Sequence, residues 1–591
     1  MSPAVTNIGS ATSCRAWWKE ASVYQIYPSS FKDSNGDGIG DIPGIISKLD
    51  YINRLGVDVV WLCPVFRSPQ VDMGYDVSDY YQIHPPYGTL EDIDLLITEL
   101  HKRNMKLVMD LVVNHTSDKH AWFKQSRSSR DNEYRDWYIW RKPRYDNDGV
   151  RQPPNNWRAA FGGSAWKYDE STDEYYLHLF ATEQPDLNWE SPGVRSAVHQ
   201  IIRYWLNKGV SGFRMDVINF ISKDPALPDA PVVEPNQKWQ DGSIHYACGP
   251  RLHEYLQDMG SILKEYDAFS VGEMPCVYDP TEIGKAVGFE RNELGMAFQF
   301  EIVDLDNGPS GRFSPGTTSL ANLKSVVAKW QDFMYQNNGW NALYLENHDQ
   351  GRSIPRFTSA APEYRALAGK MLATFLGLQS GTVFIYQGQE IGMVNVPTSW
   401  DIHQFRDIEF LNHWNEMMQA YPDNKELHSM TMEQAKLKSR DNGRTPMQWG
   451  PGRFAEFTSG DISPWIGVHD DYQVWNAAAQ VSDPESVFQY WANILKLRKT
   501  WTDVFVYGKF TLIDEDNKDL FVYARSFGEQ TALVVTNFSG RCVEWALPME
   551  VLPILAGGRI LMGNYSGQES DDHDTGTIIV RPFEAFVLLM N

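Results

Sequence analysis

The chain has 591 residues, of which 42% are hydrophobic and 22% charged, and its formal net charge is −23. This length exceeds what one compact core accommodates, and the composition excludes a disordered or low-complexity protein. The negative charge repels the phosphates of nucleic acids and anionic lipids, and no apolar run approaches the roughly 18 residues that cross a bilayer. We therefore expect two or three folded domains, no nucleic-acid or membrane partner, and a monomer or weak homo-oligomer.

The cysteines and the N-terminal residues bear on the cellular compartment. The cysteines are few, odd in number and widely spaced, which argues against a disulfide framework or a zinc site. They are Cys14, Cys63, Cys248, Cys276 and Cys542. The first 20 residues contain no apolar core of a signal peptide. Both features predict a cytoplasmic protein.

Eight short, β-rich apolar runs alternate with longer helical patterns along the chain. In order, they occupy residues 22–27, 57–62, 106–113, 211–215, 268–273, 298–304, 341–346 and 382–387. Each run is bounded by polar or turn residues, which is typical of a buried parallel strand. Among the helical patterns, residues 192–208 place Val194, Val198, Ile201, Ile202 and Trp205 on one face. The alternation predicts an α/β fold with a closed (β/α)8 TIM barrel, and an open doubly wound sheet is the alternative.

Two segments depart from this alternation. Residues 116–189 are rich in Trp, Tyr, Asn, Arg and Pro, and we interpret them as a small domain inserted after strand 3. From about residue 510 the pattern changes to short strands with turns, which predicts a C-terminal antiparallel β domain. The predicted domains are the catalytic barrel at 1–115 and 190–509, the insertion at 116–189, and the β domain at 510–591.

Polar residues follow several of the predicted strands at their carboxyl ends. Strand 3 runs into Asn114 and His115, strand 4 ends at Arg214 and Asp216, strand 5 ends at Glu273, and strand 7 leads to His348 and Asp349. The active sites of TIM barrels lie at this end of the strands, so the side chains should converge. Isolated surface ion pairs are the alternative, and they require several coincidences.

Converging carboxylates without a nucleophilic Ser or Cys suit the cleavage of glycosidic bonds. Arg214 lies two residues before Asp216 on one strand, and we expect it to lower the pKa of Asp216 and keep this nucleophile ionised. Glu273 follows an apolar run, where burial should raise its pKa and suit a general acid. Asp349 remains to grip the sugar and stabilise positive charge, while His115 and His348 donate hydrogen bonds to hydroxyls.

Four motifs resemble the signature regions of the α-amylase family of glycoside hydrolases in order and spacing. They are DLVVNH at 110–115, GFRMDVINF at 212–220, VGE at 271–273 and ENHDQ at 346–350, and QPDLNW at 184–189 resembles a fifth. The resemblance spans nearly the whole chain and implies a retaining mechanism. In it, Asp216 is the nucleophile, Glu273 the acid/base and Asp349 the stabiliser of the transition state.

Further motifs resemble the oligo-1,6-glucosidase and α-glucosidase branch of that family. They include WWKEASVYQIYPSSF at 17–31, SRDNGRTPMQW at 439–449 and GQEIGM at 388–393. The branch is exo-acting on short oligosaccharides, its pocket takes one non-reducing glucose, and no organic cofactor is implied. The positions that match its glucose-binding residues are Asp72, Tyr75, His115, Arg214, His348 and Arg440, and Phe161 and Phe180 match its aromatic wall.

The residue after the proposed nucleophile bears on linkage. Val217 occupies a position where α-1,6-acting members resemble one another in carrying Val. A β-branched apolar side chain there shapes the site for the leaving group. We therefore expect a preference for isomaltose-type α-1,6 bonds and sucrose. A maltase with transglycosylation and a catalytically silent barrel that binds a partner remain alternatives. Glu346 and Gly351 stand where small polar and Pro residues are usual in the family.

The loop DSNGDGIGD at 33–41 has the spacing of a calcium-binding loop. Its oxygen ligands stand at the first, third and fifth positions and Gly38 at the sixth, as in an EF-hand, although the twelfth position is not Glu. The resemblance implies a structural Ca²⁺ or Mg²⁺ held by Asp33, Asn35, Asp37, Asp41 and the backbone carbonyl of Ile39. A metal-free turn is the alternative.

Overall fold

The computed structural model describes residues 15–308, 311–566 and 576–590. Its largest sheet contains eight parallel strands, which we label β1 to β8 in chain order. They are Ser22–Ile26, Val59–Leu62, Lys106–Val112, Gly212–Asp216, Phe269–Glu273, Met296–Phe298, Ala342–Leu343 and Thr382–Tyr386. Their order in the sheet is β6-β5-β4-β3-β2-β1-β8-β7. A parallel bridge between Ala297 and Asn341 joins the two remaining edges, so the sheet closes into the predicted barrel rather than an open, doubly wound sheet.

A helix follows each strand and covers the outside of the barrel. These helices, α1 to α8, are Leu49–Leu55, Leu90–Lys102, Pro192–Lys208, Leu252–Glu265, Pro280–Val287, Leu320–Gln336, Pro362–Gly377 and Val487–Thr500. Helix α3 has the predicted bounds and buries the predicted face. It begins with Pro192, whose missing N–H would be unbonded in the first turn in any case, and it ends at Gly209 with φ of 104°.

Alternate residues of the strands fill the barrel interior. Val23, Val59, Trp61, Phe269 and Phe384 belong to one buried apolar cluster. Their neighbours Tyr24, Val60 and Ile385 pack instead with the residues of the helices. Both faces of the sheet are therefore buried, which is why its strands appear in the sequence as continuous apolar runs.

The sixth predicted strand, at 298–304, is wrong in its position. The strand ends at Phe298, and residues Glu301–Asp304 form a helical turn. Phe298 pairs with Glu273, which is the last residue of β5, so the residues after Phe298 have no partner strand on that side. The predicted strand at 341–346 is likewise reduced to Ala342–Leu343.

The segment inserted after β3 contains helix Ala121–Ser128 and a three-stranded antiparallel sheet of Trp140–Arg141, Glu174–Leu177 and Trp166–Asp169. A five-stranded antiparallel sheet lies at the other end of the chain. In sheet order its strands are Lys509–Ile513, Leu520–Phe527, Gln530–Asn537, Ala585–Met590 and Arg559–Gly563. These sheets lie in the segments where the sequence departs from the barrel pattern, and the domain boundaries themselves stay a prediction.

The remaining elements are short connections and the helices of the long loop after β8. They include Ile42–Ser47, strands Phe66–Arg67 and Asp79–Ile83, and helices Ile408–Ala420, Lys425–Lys438 and Ala477–Ser482. In the parts of the chain that the structure describes, no helix is both long enough and apolar enough to cross a membrane.

Candidate active site

A cavity of about 300 Å³ opens where the carboxyl ends of the barrel strands meet. Ten of the residues that the sequence singles out line it. They are Asp72, Tyr75, His115, Phe161, Phe180, Asp216, Val217, Glu273, Asp349 and Arg440. Arg214 and His348 do not line the cavity, but both are buried in contact with residues that do. The predicted catalytic and sugar-binding side chains therefore meet at one place.

Arg214 holds the two central carboxyl groups side by side. Its Nη1 lies 2.6 Å from Oδ1 of Asp216, and its Nη2 lies 2.6 Å from Oε2 of Glu273. Asp110, on β3, binds the same Nη1 at 2.8 Å and is itself held by the indole N–H of Trp61. One guanidinium thus holds together the two carboxyl groups that a glycosidase uses as its catalytic pair.

Burial separates the roles of these two carboxyl groups. It raises the pKa of Glu273 to about 8, with Arg214 opposing the effect and Asp216 adding to it. Burial also raises the pKa of Asp216 to about 6, against the charge of Arg214. The expected rise in the pKa of Glu273 agrees with this shift. The expected net lowering of the pKa of Asp216 is wrong, because the effect of burial outweighs that of the guanidinium. At pH 7 Asp216 is still mostly ionised and Glu273 protonated.

The third carboxylate, Asp349, lies against two arginines. Its Oδ1 accepts a hydrogen bond of 2.8 Å from Arg444 and lies 3.7 Å from Nη1 of Arg440. Burial alone would raise the pKa of Asp349, but the nearby cations hold it well below its usual range. His348 contributes most to this lowering, followed by Arg444 and Arg440. Burial lowers the pKa of His348 to about 3, so at pH 7 its imidazole is neutral and the arginines carry the positive charge beside Asp349.

His348 is held by stacking and by one hydrogen-bonding contact. Its ring lies parallel to that of Tyr75, with centroids 5.2 Å apart, and stacks on Tyr27 from the other side at 6.0 Å. Nδ1 lies 2.9 Å from the side-chain amide of Gln25. The imidazole is thereby fixed in orientation, with Nε2 3.1 Å from Oδ2 of Asp349.

Asp72 and Arg440 form a buried ion pair in the lining of the cavity. Their side chains lie 3.1 Å apart, and each residue is only 5% exposed. Gln184 donates to Asp72 at 3.1 Å and also lies 3.2 Å from Nε2 of His115. A carboxylate and a guanidinium held side by side can bond neighbouring hydroxyls of one sugar, which selects a chain end.

Aromatic rings form the wall beside this end. Phe161 lies under the guanidinium of Arg440, with its ring centroid 4.9 Å from the central carbon, and contacts Phe180 edge-on at 5.7 Å. Phe180 in turn packs against His115. Both residues come from the inserted segment, so this segment supplies part of the cavity, as aromatic walls of sugar sites require.

Val217 adopts an unusual backbone conformation directly after Asp216. Its φ of 34° lies in the left-handed region, which a β-branched residue rarely occupies. Its N–H donates to Oε2 of Glu273 at 3.2 Å, and its side chain lines the cavity. The strained turn therefore places this side chain in the cavity lining, directly after Asp216 and with its backbone bonded to Glu273.

Several lining residues were missed by the sequence analysis. They are Ala160, Leu179, Phe220, Tyr246, Pro275, Cys276, Phe300, Arg312, Gln350 and Glu409. Phe220, Pro275 and Gln350 lie within or just after the quoted motifs, so the position in each motif was an available signal. Arg312 and Glu409 lie far along the connections after β6 and β8, away from the strand ends that guided the sequence analysis. Cys14 and the other residues outside the described ranges cannot be placed relative to the site.

The loop at 33–41 lies apart from the cavity lining. Asp33 accepts hydrogen bonds from the N–H groups of Asn35, Gly36 and Gly38 at 3.0, 2.7 and 2.8 Å, and Asp41 accepts from those of Ser34 and Gly44. Its oxygen donors suit Ca²⁺ or Mg²⁺ in type. Yet within the described residues no group of three or more His, Cys, Asp or Glu side chains is arranged to hold a metal ion.

The strand ends of this parallel barrel carry two carboxyl groups bound to one guanidinium, with a third acid beside them. This is the architecture of a glycoside-cleaving enzyme. The sequence profile of the family described as "Alpha amylase, catalytic domain" matches residues 25–508. The chain therefore belongs to the alpha-amylase family.

Individual relatives match over nearly the full length. The chain is 50% identical to an alpha-glucosidase of Schizosaccharomyces pombe over 573 residues, which are 97% of this chain and 98% of the relative. It is also 50% identical to an oligo-1,6-glucosidase of Parageobacillus thermoglucosidasius over 576 residues, 97% and 99% of the two chains. The structure is similar to that of Bacillus licheniformis trehalose-6-phosphate hydrolase, with a TM-score of 0.90, 41% identity, and coverage of 98% and 100%.

Proposed function

We propose that the protein is an exo-acting, retaining α-glucosidase that releases glucose from the non-reducing end of short α-glucosides, with a preference for α-1,6 bonds. The observation that carries the proposal is the bridging of Asp216 and Glu273 by Arg214, where both carboxyl groups line one cavity. The relatives named alpha-glucosidase and oligo-1,6-glucosidase support the same reaction class.

The reaction follows from the protonation states of the two carboxyl groups. Asp216, ionised, attacks the anomeric carbon while Glu273 donates its proton to the glycosidic oxygen, so the C–O bond breaks as the glucosyl ester forms. Glu273, now a carboxylate, then takes a proton from water, which attacks the ester and releases glucose and free Asp216. The configuration at the anomeric carbon is retained.

Asp349 and Arg214 act on the charge that develops in the transition state. The anomeric centre becomes positively charged as the bond breaks, and the ionised Asp349 stabilises it. Arg214 pairs with the negative charge of Asp216 before the attack and with that of Glu273 after the proton transfer, because it contacts both carboxyl groups. A buried guanidinium that bridges both groups lets charge move between them without leaving either carboxylate unpaired.

The Asp72–Arg440 ion pair supports exo action. We propose that this pair, with Phe161 and Phe180 packed beside it, binds one terminal sugar and blocks the cavity there. We also propose that Val217, which lines the cavity, borders the site of the leaving group. A polymer running through the cavity would have to pass the Asp72–Arg440 pair, so we propose that starch is a poor substrate.

Two alternative functions of the same barrel predict different activities. A maltase with transglycosylation would use another sugar in place of water and would prefer α-1,4 bonds. A silent barrel acting as a binding subunit would show no turnover at all. The joint presence of Asp216, Glu273 and Asp349 in the cavity favours a working enzyme over the silent barrel.

Rates on isomaltose, maltose, sucrose and starch test the proposal. The purified chain should give the highest kcat/KM on isomaltose and very low activity on starch. Asp216→Ala and Glu273→Gln should each abolish hydrolysis of these sugars while leaving the far-UV circular dichroism unchanged. Turnover of either variant at the rate of the parent protein would remove the assignment, and a higher kcat/KM on starch than on isomaltose would remove the exo mode.

We also propose that the 33–41 loop takes a structural Ca²⁺ or Mg²⁺. The oxygen donors of Asp33, Asn35, Asp37 and Asp41 and the carbonyl of Ile39 suit either ion, and the cation would stabilise the loop without taking part in any step of the reaction. We further propose a cytoplasmic location, supported by the cysteine content, and a monomer or weak homo-oligomer. Chromatography at two protein concentrations tests the oligomeric state.

A further inference from the structure

A buried ion pair lies directly behind the loop that carries Asp349. Oε2 of Glu346, three residues after β7, lies 3.2 Å from Nη1 of Arg352. Oε1 of Glu346 accepts hydrogen bonds from the backbone N–H and the hydroxyl of Ser353, at 2.8 and 2.5 Å. Glu346 and Arg352 are 2% and 0% exposed and neither lines the cavity, so the catalytic scheme leaves them without a role.

This pair closes a short loop, 347–351, at its two ends. Glu346 precedes the loop and Arg352 follows it, so their contact ties the two ends together. Arg352 also donates at 2.8 Å to the carbonyl of Gln387, just after β8. The loop is thereby attached to the barrel wall on one side, and His348 and Asp349 are within it.

On its other side the loop is packed against residues 436–444, the segment that contains Arg440 and Arg444. The backbone N–H of Arg352 donates to Asn395 at 2.7 Å, and the amide of Asn395 donates to the carbonyl of Lys436 at 3.1 Å. A Cβ atom at Gly351 would lie only 2.4 Å from the carbonyl oxygen of Leu437. The two segments are therefore in contact at a distance that only glycine permits.

The same contact aligns Asp349 with its arginine. Nε of Arg444 donates to the carbonyl of His348 at 2.9 Å, while its Nη2 donates to Oδ1 of Asp349 at 2.8 Å. Both bonds depend on the register between the 347–351 loop and the 436–444 segment. A shift of the loop by about 1 Å would move this carboxylate from the anomeric centre, and such misplacements reduce rates by roughly 10²-fold.

We propose that Glu346 and Arg352 form a positioning pair that sets the 347–351 loop, and with it Asp349, in the register required to stabilise the transition state. The inference rests on the proposed function, because it concerns the same reaction. It also accounts for two departures from the family pattern, since Glu346 supplies one end of the pair and Gly351 permits the close contact.

The double variant Glu346→Gln, Arg352→Met tests the pair while avoiding an unpaired buried charge, which would itself disrupt folding. On p-nitrophenyl α-glucoside we expect kcat to fall by about tenfold or more and KM to change by less than about threefold, as for a group that acts in the transition state. The affinity for the cationic inhibitor 1-deoxynojirimycin should fall by a similar factor, and that for neutral glucose should not.

A second variant disturbs the same contact by another route. Gly351→Ala introduces a methyl group against the carbonyl of Leu437 and leaves the ion pair intact. It should give the same combination of lower kcat and weaker inhibitor binding. This variant keeps the proposal testable even where the double variant folds poorly.

The matched control is a partly buried Arg–Glu pair in the inserted segment. Nη2 of Arg135 lies 2.5 Å from Oε2 of Glu174, and neither residue lines the cavity. Arg135→Met, Glu174→Gln should lower the melting temperature and leave kcat unchanged. If the Glu346 and Arg352 variant behaves like this control, the pair is merely structural and the inference fails. Absence of turnover in the parent protein would instead refute the proposed function.

Discussion

Asp407 holds Arg440 from the side opposite to the cavity. Its Oδ1 accepts a hydrogen bond of 2.7 Å from Nε of Arg440, and its Oδ2 accepts one of 2.9 Å from the backbone N–H of the same residue. Burial alone would raise the pKa of Asp407, but Arg440 and Arg444 keep it below its usual value. The guanidinium of Arg440, which lines the cavity, is thus fixed by a buried carboxylate 33 residues earlier in the chain.

Asp407→Asn should therefore raise KM for isomaltose by about tenfold, equivalent to ~1.4 kcal/mol, and change kcat by less than about threefold. In the proposed function Arg440 binds sugar hydroxyls in the substrate and the transition state alike, so looser placement of Arg440 should weaken the binding of both. Asp407 also caps helix Ile408–Ala420, and Asn is an equally good N-cap, so the helix is preserved. A fall in kcat at constant KM, measured by initial rates, would contradict this account.

The pH dependence of kcat/KM on isomaltose should be bell-shaped. Asp216 must be ionised, so activity should be lost as the pH falls through about 6, and Glu273 must be protonated, so it should be lost as the pH rises through about 8. An aryl glucoside with a strongly acidic phenol needs no proton for departure, and its glycosylation rate should keep the acidic limb and lose the basic one. An unchanged basic limb with that substrate would show that Glu273 is not the acid.

The raised pKa of Glu273 also affects stability. Between its ordinary value of 4.5 and about 8, the folded state binds this proton and the unfolded state does not, so stability falls as the pH rises through that window. Glu273→Gln removes this effect. The variant should melt at nearly the same temperature as the parent protein at pH 5 and at a higher temperature at pH 9. A difference in melting temperature that is independent of pH would exclude burial of Glu273 as the cause.

The barrel was predictable because burial on both sheet faces leaves continuous apolar runs, and the strand ends were predictable because the chemistry of barrels lies there. The strand predicted at 298–304 was wrong in position because the apolar pattern continues beyond the last residue with which β5 can pair. Such pairing depends on the length of a neighbouring strand, which local patterns do not contain.

The residues of the site likewise divide into those that local sequence patterns predict and those that they do not. Asp216 and Glu273 are the last residues of β4 and β5, and their positions were predictable from that fact alone. Arg440 was predicted only by resemblance, and Asp407 not at all, since both lie in the long connection after β8 without a periodic pattern. The predicted direction of the pKa shift of Asp216 was wrong because the burial of this residue is a property of the folded chain.

Chelation tests the proposed cation. If the 33–41 loop holds Ca²⁺ or Mg²⁺, EDTA should lower the melting temperature by several degrees and added Ca²⁺ should restore it, because a ligand of the folded state alone stabilises it. Asp33→Asn should abolish the response to EDTA. Asp146 accepts hydrogen bonds from the N–H groups of Asp148 and Val150 in a similar turn, so Asp146→Asn is the control. This variant should keep the response to EDTA of the parent protein. Equal melting curves with and without EDTA would favour the metal-free turn.

Val217→Thr should shift the preference from isomaltose towards maltose, with the ratio of the two kcat/KM values changing by about tenfold. Thr is β-branched and of nearly the same shape as Val, so it occupies the left-handed turn at the same strain and changes chiefly the polarity beside the leaving group. The N–H that donates to Glu273 is retained, so the acid keeps its place. Val217→Ile keeps the apolar character, and its ratio should stay closer to that of the parent protein. If Thr leaves the ratio unchanged on isomaltose and maltose, measured side by side, then the side chain at 217 does not set the linkage. Two other residues that line the cavity, Arg312 and Glu409, are then the ones to vary.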